Sequence, residues 1–80
     1  ELLESRYIQE EKKIILHRAM NHLKPEYRQV LWLIYFEGFS HKEVAKIMRK
    51  SVHAIESLAS RARKSLRTKL NEEGFVYENL

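Results

Sequence analysis

The side chains in this 80-residue sequence that are able to do chemistry are four histidines, six serines and a concentrated run of basic residues. The histidines do not group. His17 and His22 are five residues apart and so fall on different helical faces, while His41 and His53 have no Cys or Asp partner nearby, and the sequence has no Cys at all. Metal ligation needs three or four convergent donors, so no metal site and no cofactor is expected. The serines have no local base, and neither a Gly-rich phosphate loop nor a Gly-x-Ser-x-Gly turn is present. The chain therefore reads as a non-enzyme. What remains is charge. From Arg49 to Lys69 seven basic residues face one acid, Glu56, for a local net of +6 within an overall formal charge of +4. Residues 1–48 are nearly balanced, and residues 71–80 are acidic. A stripe of this kind suits a polyanion, either nucleic acid or an anionic membrane surface, although a plain solvated helix face would also account for it.

The elements that must position this stripe follow from the spacing of apolar residues. Two Gly, one Pro and no repeats point to helices joined by short turns. Ile8, Ile15, Leu16, Ala19, Met20 and Leu23 recur at helical intervals and predict a first helix over 8–23, preceded by a linker over 1–7. Pro25 suits a first helical position, and Gly38 a stop, so a second helix is predicted between them. Its run Val30 to Phe36, apolar all round, reads as core, and it falls far short of the roughly 20 residues that span a bilayer. Ser40 and Glu43 form a capping box, with Phe39 and Val44 placed as a hydrophobic staple. A short third helix, carrying Val44, Ala45, Ile47 and Met48 inward, would end near Arg49-Lys50. Ser51 supplies a second N-cap, for a fourth helix from Val52 to about Glu73 closed by Gly74. The predicted fold is an all-α, four-helix domain over 8–74 with a helix-turn-helix at about 40–73 and a tail over 75–80.

At 100° per residue, Ile55, Ala59, Ala62, Leu66 and Leu70 share one face of the fourth helix, with Leu58 at its edge. The opposite face collects His53, Glu56, Ser57, Ser60, Lys64 and Arg67, flanked by Arg61 and Arg63. Short polar side chains early and cations later suit insertion into a major groove, where the first reach base edges and the second neutralise phosphates. Ala59 and Ala62 make a poor apolar anchor for a bilayer surface, so no membrane partner is expected.

Residues 23–66 resemble region 4 of sigma-70 family transcription initiation factors, most closely the compact extracytoplasmic-function type. The resemblance rests on Leu23-Lys24-Pro25-Glu26-Tyr27-Arg28-Gln29-Val30-Leu31, on Gly38-Phe39-Ser40-His41-Lys42-Glu43-Val44-Ala45, on Ser51 and Ile55, and on Ser60-Arg61-Ala62-Arg63 with Leu66. The central piece is also similar to response-regulator effector domains. The resemblance implies a winged-helix-like four-helix domain that binds double-stranded promoter DNA at the minus-35 element. It further implies docking on core RNA polymerase through the beta flap, sequestration by an anti-sigma factor, and a cytoplasmic setting. Since the chain opens on Glu1, an upstream domain is expected as well.

By the same analogy Glu56, Ser57, Ser60 and Arg61, with His53 beside them, fall where the family contacts bases. Glu56 would accept from a cytosine amino group and Arg61 would reach guanine or a phosphate; the alternative is that Glu56 only pairs within its helix with Ser60 or Arg63. The family often has Lys or Arg at the position of Glu56, and Gly-Thr at that of His53-Ala54. Lys64, Arg67 and Arg49 are expected at phosphates, as are His41 and Lys42 at the positive end of the third helix. Arg28 and Glu43 are expected to form a structural ion pair. A second class of reading stays open, a protein-docking module without DNA binding that uses Phe75-Val76-Tyr77 as an apolar hook, unless those residues fold back over the core.

Overall fold

The computed structural model describes residues 3–72, with side chains from residue 11 onward. The expectations for Gly74 and for the Phe75-Val76-Tyr77 hook lie outside the described residues. Among the described residues there are four α-helices and no strand: α1 (Leu3–Asn21), α2 (Pro25–Leu31), which runs on into a π-helical turn (Trp32–Phe36), α3 (His41–Met48) and α4 (Val52–Glu72). The first helix starts at Leu3, inside the stretch expected as linker, and ends two residues early at Asn21. There the His22 ring is 2.8 Å from the Arg18 carbonyl oxygen and closes the last turn.

The start signals expected of α2, α3 and α4 are present. Pro25 opens α2. Ser40 Oγ accepts from the Glu43 N–H at 3.2 Å, while Glu43 Oε1 accepts from the Ser40 N–H at 2.8 Å, completing the capping box of α3. Those bonds to Ser40, its backbone N–H foremost, hold the Glu43 carboxyl below its ordinary value, with Lys46 adding a smaller pull. Ser51 Oγ accepts from the Ala54 N–H at 3.0 Å and caps α4. Arg49, Lys50 and Ser51 form the three-residue turn between α3 and α4. Arg49 sits there at φ 59°, a left-handed position usually given to Gly.

Thirteen apolar residues form one buried cluster: Ala19, Met20, Leu23, Val30, Leu31, Val44, Ala45, Ile55, Leu58, Ala59, Ala62, Leu66 and Leu70. All six residues assigned to the inner side of α4 are among them, and Ala59 and Ala62 let the helix lie close to α2, α3 and α1. None of the described residues buries a polar or charged side chain.

Two expectations about the core are corrected. The aromatic run after α2 is not interior, because Trp32 and Phe36 are each 38% exposed and Tyr35 is 54% exposed. The cause is the π turn. The Glu37 N–H bonds back five residues to Trp32 O at 3.0 Å, which shifts the register by one residue, leaving Leu33 and Ile34 half-buried and turning the rings outward. Gly38, at φ 76°, then reverses the chain. Ile47, expected inside α3, is 47% exposed, whereas Val44 and Ala45 fill the interior and Met48 packs at its edge.

Candidate nucleic-acid interface

Because its opposite side supplies six core residues, α4 has only one face to present. His53, Glu56, Ser60, Arg61, Lys64 and Arg67 are all exposed on it, and Ser57 is half-buried. Between residues 53 and 67 no large apolar side chain is exposed. The result is a polar surface about four helical turns long, with short side chains toward the N-terminal end and cations beyond them.

The other expected phosphate contacts sit on α3 and on the turn after it. His41 and Lys42 occupy the first two positions of α3, half-buried and exposed respectively, and Arg49 is exposed in the turn. The tertiary structure joins one of them to α4, with His41 Nδ1 3.9 Å from Glu56 Oε2. Glu56 therefore pairs across the helix-turn-helix rather than along its own helix with Ser60 or Arg63. A neutral ring makes this a weak contact and a protonated one an ion pair.

The structural ion pair expected between Arg28 and Glu43 does not form among the described residues. The carboxylate of Glu43 is engaged by Ser40 at its own helix start. The cross-link between α2 and the helix-turn-helix is made instead by Lys50 and Glu26, at 3.1 Å. Glu26 lies in the first turn of α2 and Lys50 in the turn before α4, so this exposed bridge links the two segments at the surface while the core beneath sets their placement. Arg63, expected only as a flank of the outer face, is half-buried and donates from Nη1 to the Tyr35 hydroxyl at 3.3 Å, tying α4 to the π turn.

Sequence reasoning also missed two surface clusters. In the first, Trp32 and Phe36 stack at 4.6 Å between centroids, and the His17 ring of α1 meets both at 5.7 and 5.5 Å. Trp32 Nε1 donates to Glu37 at 3.1 Å. Beside this cluster Leu16, Met20, Leu31, Tyr35, Phe36 and Leu66 line an apolar hollow. In the second, Lys24, in the turn before α2, and Tyr27, in its first turn, share a shallow hollow with Arg61, Lys64, Ser65 and Thr68 of α4. Four of its six residues lie on α4, within reach of helical spacing; Lys24 and Tyr27 carry no local signal for it.

Residues 13–66 match the family model for sigma-70, region 4, which takes in the second half of α1 as well as the helix-turn-helix. The chain belongs to the sigma-70 region 4 family. Region 4 is a non-enzymatic, DNA-binding helix-turn-helix region of bacterial sigma factors, working with RNA polymerase in transcription. No curated protein matches the chain. Of the four helices, α3 and α4 are the pair joined by the turn of Arg49, Lys50 and Ser51. Among the described residues no group of three His, Cys, Asp or Glu side chains is placed to hold a metal, and no helix is long and apolar enough to cross a membrane.

Proposed function

We propose that this region 4, of the extracytoplasmic-function type, reads the minus-35 element of a promoter by laying α4 in the major groove while it is docked on core RNA polymerase through the beta flap. The observation that carries the reading is the two-sided character of α4, with an inner face wholly in the core and an outer face polar and cationic from His53 to Arg67. His53, Glu56, Ser57, Ser60 and Arg61 are the base-reading group. Glu56 accepts from a cytosine amino group and Arg61 reaches guanine or a phosphate. His41, Lys42, Arg49, Lys64 and Arg67 contact phosphates, with the first two at the positive end of α3. The exposed ring cluster of Trp32 and Phe36, with the apolar hollow beside it, is the face offered to polymerase and to a competing anti-sigma protein.

The test is selection of duplexes by the chain assembled on core polymerase, because tethering raises the effective concentration of a weak reader. Selection converges on one element. Glu56→Ala then relaxes preference at one base pair, by about 1–3 kcal/mol, without a uniform loss elsewhere. An equal loss on every sequence, or none, overturns base reading by Glu56. Persistent binding to polymerase with no salt-dependent binding to any duplex would make the chain a protein-docking module instead.

A further inference from the structure

We infer that the DNA interface extends beyond the helix-turn-helix: Lys24, in the turn between α1 and α2, joins Arg61 and Lys64 in gripping one phosphate of the DNA backbone beside the bases read by α4. The inference rests on the promoter-binding reading above and adds a contact outside it.

Lys24, Arg61 and Lys64 are brought to one hollow by two elements distant in sequence, and Ser65 and Thr68 add hydroxyl groups to its wall. Among the described residues none of the three cations pairs with a carboxylate; Lys50 and Lys69 are the cations held by Glu26 and Glu72, and Glu56 faces His41. Three like charges held around one hollow repel one another, and an anion seated between them removes that cost.

Geometry chooses the anion. Arg61 and Lys64 border the outer face of α4 next to Ser57 and Ser60, so the hollow is continuous with the polar surface and lies on one flank of it. A helix in a major groove has a phosphate backbone along each flank. The Tyr27 ring lies under Lys24, with Nζ 5.5 Å from its centroid, which directs the ammonium toward the hollow and limits the entropy lost when it is held there. This placement also gives Arg61 to the phosphate rather than to guanine.

The experiment measures the salt dependence of binding of the full 80-residue chain to its selected duplex. Replacing Lys24, Arg61 and Lys64 together by Gln lowers the slope of log K against log[salt] by about 0.9, the value for one phosphate contact, and Lys24→Gln alone lowers it by part of that. Lys24→Arg retains the slope, and Lys12→Gln, on the exposed surface of α1, leaves it unchanged. Duplexes carrying a single uncharged methylphosphonate identify the partner. At one backbone position the unmodified chain loses affinity and Lys24→Gln, with one cation fewer on that phosphate, loses less. If Lys24→Gln keeps the full slope, if Lys12→Gln lowers it equally, or if no such backbone position exists, the inference fails while promoter binding stands. Loss of polymerase affinity in Lys24→Gln with duplex binding intact would assign the hollow to a protein carboxylate and likewise overturn it. Absence of salt-dependent duplex binding by the unmodified chain would instead overturn the promoter reading itself.

Discussion

The outer face of α4 and the aromatic face of the π turn are both open to water, and water treats them differently. On α4 the exposed groups are hydroxyls, a carboxylate and cations, well solvated until a polyanion replaces the counterions around them. On the π turn, Trp32, Tyr35 and Phe36 expose ring surface next to an apolar hollow, where burial against another protein releases water from carbon. The two faces are joined by the hydrogen bond from Arg63 to Tyr35 and by the core beneath both. A domain of 80 residues can thus present two binding chemistries because a single helix, α4, supplies the interior support for each. Neither face takes charge into the core, so each can change without collapsing the other.

The comparison breaks most completely at the shared core. Ile55 is fully buried in the core cluster that supports the domain, and Ile55→Ala is expected to cost about 2–5 kcal/mol in urea denaturation, with duplex and polymerase binding lost together. The next largest effect separates the faces. Trp32→Ala is expected to weaken polymerase binding about tenfold or more with duplex affinity unchanged, at a cost of about 1 kcal/mol in stability from the lost ring stack. Parallel loss of duplex binding would show that the faces are coupled after all.

A smaller effect comes from the start of α3. Ser40→Ala removes the cap and is expected to cost about 1 kcal/mol, seen as a lower denaturation midpoint. The pH dependence has a definite sign. The carboxyl of Glu43 is held below its ordinary 4.5 in the folded state, so its contribution is present above that value and is lost as pH falls through the lowered one. In Glu43→Gln the acid limb of the stability curve is flatter, and an unchanged limb would exclude this source. The smallest effect is at the turn. Arg49→Gly relieves the left-handed backbone and is expected to raise stability by about 0.5–1 kcal/mol. If Arg49 contacts a phosphate as proposed, the salt slope of duplex binding also falls by about 0.9 while polymerase binding stays constant.

How much of this was legible beforehand depends on the range of each interaction. The caps at Ser40 and Ser51 join residues three apart, and the inner face of α4 follows from helical periodicity, so both were readable without a fold. The exposure of Trp32 and Phe36 was not, because an all-apolar run looks the same whether a helix continues regularly or widens into a π turn. Arg28 and Glu43 were plausible partners by charge alone. Glu43, however, is satisfied within its own capping box, and Glu26 with Lys50, 24 residues on, makes the bridge. His41 with Glu56, Tyr35 with Arg63, and Lys24 with Lys64 are likewise meetings between elements.

By itself, then, the sequence determined the all-helical fold, the three-residue turn and the cationic outer side of α4, since these rest on spacing, capping and periodicity within a few residues. The tertiary structure decided which apolar side chains the core had room for and which polar groups ended up close together. Those outcomes depend on competition for one small interior and on the angles between helices, and neither quantity is written in any local stretch of the chain.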